Sequence, residues 1–321
     1  MAYGPGDLII DDDYNIFATG NAAGTGDDNV ANINTIWGVG TLDKGWGQST
    51  TVSPVSTGAT VTATQWATLF TRLTSISNQT GASITALTNP VAGNVIDWKS
   101  SFQGDLDNQF INRNNAAGVG STITLNGVAT RTTSWITALT ATHTITFANA
   151  NSARYFFNAG GRVTWAGART GGTGDSKNTS WTNLLTACGT LNWTTGTGAQ
   201  TIAGTNYTGT TKIGGSGSPT TLLSNVGFYD FTTSNQEVFK QFASTYLYAT
   251  NFVSINILTN AAAGSATTIT ITVRFDDAHS TQGDEPVDGT LTSTVTLVQP
   301  STSFITNTWG TPTISSSITG S

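Results

Sequence analysis

The chain has 321 residues, of which only 9% are charged, and its formal net charge is −6. Ordinary soluble domains carry about 25% charged residues, so Thr, Ser, Asn and Gly must form much of this surface. Binding to nucleic acid through phosphates needs clustered Lys and Arg, and the sequence has no such cluster. The composition therefore favours an assembly subunit or a sugar-facing surface over an enzyme, and it argues against nucleic acid as a partner.

The N-terminal residues and the cysteine content argue against export and membrane insertion. Leu8, Ile9 and Ile10 run directly into three Asp residues, which does not fit a secretory signal peptide. No window approaches the roughly 18 apolar residues of a membrane helix. The single cysteine, Cys188, allows no intrachain disulfide. We therefore expect a protein made in the cytoplasm, without a membrane partner.

The first 115 residues are predicted to be mainly helical. A short helical stripe runs from Asn29 to Gly38, and residues 62–65 have the sequence of a helix capping box. Behind this box, apolar residues recur at helical spacing: Trp66, Leu69, Phe70, Leu73 and Ile76. A second helix is predicted from about Asn94 to Asn112, where one apolar stripe could pack on the first helix or on a partner chain. The stripe consists of Trp98, Phe102, Leu106 and Phe110.

After about residue 115 the apolar residues alternate with polar ones, which is typical of β-strands. The most regular strands are predicted at Thr267–Phe275 and Thr290–Val298. Because the segment between them is polar and rich in turn-forming residues, they are predicted to form a long antiparallel hairpin. A helix is predicted around Asn235 to Ala243, where Val238, Phe239 and Phe242 would share a face.

These patterns predict an α+β protein that is mainly β. A small helical N-terminal docking module would span residues 1–115. An antiparallel β-sandwich-like domain would span residues 116–321.

The predicted hairpin loop contains the densest acidic cluster of the chain: Asp276, Asp277, Asp284, Glu285 and Asp288. One interpretation is a Ca²⁺ loop, with Asp276, Asp277, Asp284 and Asp288 as candidate ligands, although the spacing does not match an EF-hand. A more remote one is an acid/base pair. The favoured interpretation is a solvated loop tip whose carboxylates protect a long hairpin from edge pairing.

Other chemistry-bearing residues are sparse. His143 and His279 are the only histidines, they fall in different elements, and we expect both to be structural or surface residues. Nothing in the sequence matches the ligand spacing of a zinc site, and no cofactor is predicted. Cys188 is expected to be a buried small hydrophobic residue. Trp193 and Tyr207 lie in Asn-X-Thr turns, where they could stack on sugar rings, cap the sandwich core or fill a subunit interface.

Four ordered segments resemble virion structural proteins of large tailed phages, best represented in marine T4-like phages that infect cyanobacteria. The first segment is Asp12–Asn15 with Gly45–Gln48, and the second is Val61–Trp66 with Asn78–Gly81. The third and fourth are Ala153–Gly161 and Val287–Thr290, the latter followed by Gln299–Ser301 and Asn307–Gly310.

The resemblance implies a particle component that is made in the host cytoplasm, located in the virion and assembled without export. Its partners would be copies of itself and other virion structural proteins. Tyr155, Phe156 and Phe157 are consecutive, so at least one ring is expected to face away from the protomer's own core, toward a neighbouring subunit. Trp98 and Phe102 are further interface candidates.

The most specific function that we predict is a non-enzymatic tail, neck or fibre subunit that forms homo-oligomers. Two alternatives are a capsid decoration protein and an adhesin that binds host glycans through Trp and Tyr.

Overall fold

The computed structural model of this chain describes residues 11–22, 31–89, 99–116, 124–196, 198–262, 264–279 and 285–320. Its α-helices are α1 (Asp11–Thr19), α2 (Ile33–Trp37), α3 (Ala63–Thr80), α4 (Lys99–Ile111), α5 (Ala150–Asn158) and α6 (Ser176–Cys188). The first four lie in the segment predicted to be helical. The last two interrupt the β part of the chain.

The strands of the described residues all follow residue 123. They are β1 (Thr124–Arg131), β2 (Ala138–Thr146), β3 (Arg162–Thr170), β4 (Thr190–Trp193), β5 (Ala199–Ile202), β6 (Thr205–Thr208), β7 (Thr210–Ile213), β8 (Thr221–Leu222), β9 (Gln236–Phe242), β10 (Phe252–Thr259), β11 (Thr268–Asp276), β12 (Thr290–Val298) and β13 (Thr313–Gly320).

Two antiparallel sheets form the β part. A five-stranded sheet has the order β1-β12-β3-β4-β7, a six-stranded sheet has the order β13-β2-β11-β10-β9-β8, and β5 pairs with β6 alone. The predicted fold class is confirmed: the chain is α+β, mainly antiparallel β, with a helical N-terminal segment.

The inner faces of the two sheets contact each other, as in a β-sandwich. The ring centroid of Trp165 in β3 lies 6.5 Å from that of Phe275 in β11. Along one border β1 lies beside β13. Gly127 permits this approach, since a Cβ atom there would lie 2.3 Å from Cγ2 of Ile314.

The predicted hairpin between the two most regular strands is wrong. β11 pairs with β2 and β10 in one sheet, whereas β12 pairs with β1 and β3 in the other. Alternation indicates which face of a strand is buried, and both strands bury their apolar faces in the same core from opposite sides. The connection between them therefore crosses from one sheet to the other.

The helix predicted around Asn235 to Ala243 is also wrong, because these residues form strand β9. The pairing of β9 with β10 changes register between Ile255 and Asn256. This bulge leaves Val238 without a partner on β10 and lets both Val238 and Phe239 enter the core. With two consecutive buried residues, the apolar positions 238, 239 and 242 have the three- and four-residue spacing of a helix in the sequence.

The capping box is confirmed at the start of α3. The backbone N–H of Gln65 donates to Oγ1 of Thr62 at 3.3 Å, and the backbone N–H of Thr62 donates to Oε1 of Gln65 at 2.7 Å. Glycine 81 ends the helix in the left-handed conformation that glycine adopts most readily.

Helix α4 packs on α3, as one of the two interpretations of its apolar stripe predicted. The ring centroid of Phe102 lies 5.6 Å from that of Phe70 and 4.9 Å from that of Phe17. Phe102 is completely buried within the chain. It is therefore a core residue and not an interface residue, and Trp98 lies outside the described residues.

The helical segment and the sandwich share one continuous hydrophobic core. Trp66 of α3 and Trp165 of β3 are both fully buried in the same cluster. The division into domains at residue 115 stays a prediction. None of the helices that the structure describes is long and apolar enough to span a membrane.

Candidate functional site

Asp277, in the acidic segment after β11, is not part of a solvated loop tip. Asp277 is buried, and its Oδ2 atom lies 2.5 Å from Nζ of Lys177. Its Oδ1 atom accepts a hydrogen bond of 2.7 Å from Nδ2 of Asn251. Lys177 is equally buried and donates to the carbonyl of Glu285 at 2.9 Å. This buried ion pair thus ties α6 to the end of β11 and to the segment at residue 285.

The neighbouring carboxylates face other partners. Oδ2 of Asp276 accepts a 2.6 Å hydrogen bond from Nε of Arg274. Asp288 accepts from the backbone N–H of Thr173 at 3.0 Å and from Nη2 of Arg169 at 2.8 Å. The Thr173 amide, with Arg169 adding to it, holds the pKa of Asp288 below its ordinary value.

The candidate Ca²⁺ ligands are therefore not brought together. Asp276, Asp277 and Asp288 each serve a different local contact, and Asp284 lies outside the described residues. Within the part of the chain that the structure describes, no three His, Cys, Asp or Glu side chains form a group suited to a metal ion. The proposed Ca²⁺ loop loses its support because the local cations and amides already use these carboxylates.

His143 is a fully buried residue between the two sheets, as expected for a structural histidine. Its Nδ1 atom lies 2.7 Å from Oγ of Ser316, and its Nε2 atom lies 2.9 Å from Oγ of Ser293. Burial lowers the pKa of His143 from 6.5 to about 4. The imidazole is thus a neutral hydrogen-bonding link between β2, β12 and β13.

The three consecutive aromatic residues lie in helix α5, not in a strand. Phe156 and Phe157 are fully buried and Tyr155 is 8% exposed, so the expectation that one ring faces away from the protomer's core is wrong. Phe157 stacks on Phe228 with 4.4 Å between ring centroids. Because the helix is enclosed by the sandwich and by the loop at residues 39–45, rings on different sides of it all find cover within the chain.

Helix α5 also holds that loop through polar side chains. Nε of Arg154 and Nδ2 of Asn158 each donate to the carbonyl of Leu42 at 3.0 Å. Asn158 also donates to the carbonyl of Gly45 at 3.1 Å, and the hydroxyl of Tyr229 donates to Leu42 at 2.6 Å. Burial raises the pKa of Tyr229 well above its ordinary value.

Sequence reasoning missed this set of contacts. Arg154 and Asn158 are four residues apart, which places them on one side of a helix, and Asn149 before them is a helix N-cap. Both signals are visible in the sequence once the segment is taken as a helix.

Parts of the four segments on which the expected resemblance rests meet where the helical segment contacts the sandwich, which we call the junction. The hydroxyl of Thr308 donates to the carbonyl of Trp46 at 2.6 Å. Nε2 of Gln79 donates to the carbonyl of Ala159 at 3.0 Å. Together with the contact between Asn158 and Gly45, these bonds join segments that are distant in the sequence.

The aromatic residues suggested for sugar stacking are buried. Trp193 is 1% exposed and Tyr207 is 6% exposed, so neither can meet a sugar ring. Cys188 is a buried small hydrophobic residue, as predicted, and burial raises its pKa to about 12. Among the described residues the exposed phenylalanine and tyrosine rings are instead Tyr246, which is 97% exposed, Phe304 and Phe242.

Comparison with known proteins finds no match to this chain among protein-family models, curated proteins or solved structures.

Proposed function

We propose that this chain is a non-enzymatic structural component of a tailed phage particle, most specifically a tail, neck or fibre subunit that forms homo-oligomers. The order of the four phage-like segments supports this proposal. These segments meet at one junction, where hydrogen bonds between them hold distant parts of the chain together. Residues with such a structural role are expected to be shared by proteins of the same architecture, which supports the resemblance to those virion proteins.

The observation that carries the proposal is the distribution of charge. Only 9% of the residues are charged, so uncharged side chains form most of the surface of each copy. Three of the acidic side chains of the 276–288 segment are used in ion pairs: Asp277 with Lys177, Asp288 with Arg169 and Asp276 with Arg274. Copies of a chain with net charge −6 can approach one another through uncharged faces with little repulsion.

The deciding experiment is mass spectrometry of density-banded phage particles from a lysate in which this chain is produced. We expect the chain to band with the particles in many copies. Immunogold labelling is expected at the tail, neck or fibres. Absence of the chain from banded particles would contradict the proposal, and labelling of the capsid shell would replace it with a decoration role.

Homo-oligomerisation is measured independently on the purified chain. Light scattering after size-exclusion chromatography is expected to give a multiple of the 33.3 kDa protomer mass. If the measured mass equals that of one protomer at every concentration of the chain, up to the concentration that the chain reaches in a lysate, self-association is contradicted.

A further inference from the structure

The outer face of the six-stranded sheet carries a regular array of hydroxyl groups. Every second residue of 140–146 in β2, of 268–272 in β11 and of 313–319 in β13 is Thr or Ser, and their side chains are exposed or half-buried. The strands are in register, so Thr142 pairs with Thr272 on one side and with Ser317 on the other. We call these residues the hydroxyl face.

The hydroxyls of this face are available to a ligand. None of them hydrogen-bonds to another residue in the described part of the chain. Hydroxyls elsewhere are engaged: Thr68, Thr71 and Thr74 in α3 each donate to the carbonyl four residues before them at 2.9 Å. Strand geometry spaces the free hydroxyls at roughly 6.7 Å along the strands and 4.8 Å across them.

Aromatic side chains border the same face. Phe242 and Phe252 pair across β9 and β10, with 5.4 Å between ring centroids. Val253 and Ile255, the alternate residues of β10, enter the core. Phe252 therefore points outward, and so does Phe242, its partner across the two strands. Tyr246 lies in the turn that follows Phe242 and is almost completely exposed.

The face carries little net charge. The guanidinium of Arg274 is paired with the carboxylate of Asp276. The ammonium of Lys240 lies over the two phenylalanine rings, 4.0 Å from the centroid of Phe252 and 5.0 Å from that of Phe242. A charged polymer would therefore gain little electrostatic attraction here. An uncharged polymer has no charged groups from which water must be removed on binding.

We propose that the hydroxyl face, with Phe242 and Tyr246 at its border, binds an uncharged polysaccharide. Sugar hydroxyls both donate and accept hydrogen bonds, as the Thr and Ser hydroxyls do. The C–H face of a sugar ring packs against an aromatic ring, which supplies the apolar contact. One face thus offers both kinds of contact that a sugar chain needs.

A second copy of this chain fits the face less well. The flat outline of the face is about 400 Å² from strand spacing and rise, which is small for a standard protein interface, where each partner buries roughly 800 Å² of accessible surface. Thr and Ser are also under-represented among the residues that dominate protein–protein affinity.

The test is affinity electrophoresis of the purified full chain in gels that contain hydroxyethyl cellulose, mannan or dextran, with alginate as the acidic probe. We expect at least one neutral polymer to retard the chain. Tyr246→Ala and Thr142→Lys are each expected to weaken that retardation at least about tenfold. Thr294→Lys is the matched control, because it adds the same charge at a half-buried outward Thr of the opposite sheet and is expected to bind normally.

Several results would overturn the proposal: no retardation by any neutral polymer, retardation by alginate alone, or equal loss of binding in the Thr294→Lys control. Thermal unfolding of each variant separates loss of binding from loss of folding. If Thr142→Lys instead disrupts an oligomer and no polymer binds, the face is a subunit contact. The inference rests on the proposed function only for its biological setting, since absence of the chain from virions would leave the gel result unchanged.

Discussion

One arrangement of protons gives each group around the imidazole of His143 a partner. Oγ of Ser293 accepts from Nε1 of Trp165 at 2.8 Å, and the acceptor for the Ser293 hydroxyl proton is then Nε2 of His143 at 2.9 Å. The imidazole proton then lies on Nδ1 and is donated to Ser316. This chain of bonds is buried except at the half-buried Ser316, and it joins both sheets.

Acidification is expected to destabilise the chain through His143. Its pKa is 6.5 in the unfolded chain and about 4 in the folded one. The unfolded state therefore binds a proton first, and stability is lost as the pH falls from 6.5 to about 4. The loss from this group is on the order of 3 kcal/mol, measured as the difference in urea unfolding free energy between pH 7 and pH 4.

The variant His143→Gln provides the comparison, because glutamine keeps hydrogen-bonding capacity and does not titrate. Its unfolding free energy is expected to change less between pH 7 and pH 4 than that of the wild type. Equal changes in the two proteins would show that other groups cause the acid sensitivity.

Asp277 and Asp276 are adjacent, and each forms an ion pair, but only the pair of Asp277 is buried. The same substitution at the two positions therefore compares a buried ion pair with an exposed one. Asp277→Asn removes the negative charge next to a buried ammonium and is expected to cost about 3–5 kcal/mol. Asp276→Asn removes a partner of the half-exposed Arg274 and is expected to cost below about 1 kcal/mol. Urea unfolding measures both, and similar costs would contradict the role of the Lys177 pair.

At the scale of elements, local signals succeeded where hydrogen bonds close within a helix or where buried and exposed residues alternate regularly along a strand. The α3 helix was predicted from its cap and its apolar spacing, and both are present. Strands β11 and β12 were predicted from alternation. The element at 236–242 was predicted wrongly, because a β-bulge depends on the partner strand and leaves no local signal.

The border between β1 and β13 is expected to depend on Gly127. In Gly127→Ala the new methyl group meets Ile314 and also Ser316, the residue that bonds His143. Overpacking of this kind costs about 1–3 kcal/mol. A lower unfolding temperature by differential scanning calorimetry is the expected result.

Gly104→Ala serves as the opposite control. Gly104 lies within α4, and a Cβ atom there would meet nothing within 4 Å. Alanine is favoured over glycine in a helix by up to about 1 kcal/mol. The unfolding temperature should therefore rise, and a rise for both glycine variants would contradict the packing at Gly127.

At the scale of the whole molecule, the shared core predicts cooperative unfolding. Trp46 in the helical segment donates to the carbonyl of Arg113 and accepts from Thr308, near the C-terminal strand. Helices and sheets also bury residues in one cluster. We expect one thermal transition, with coincident curves from tryptophan fluorescence and far-ultraviolet circular dichroism. Two separated transitions would instead support independent domains on either side of residue 115.

The sequence by itself determined the fold class, the capped helix and which face of each regular strand is buried. These properties follow from short-range hydrogen bonding and from the periods of helix and strand. Only the tertiary structure decided that β11 and β12 belong to different sheets, that Trp193, Tyr207 and the α5 aromatics are buried, and that Asp277 pairs with Lys177. Each of these depends on residues far apart in the chain, and the period of a strand carries no information about its partner.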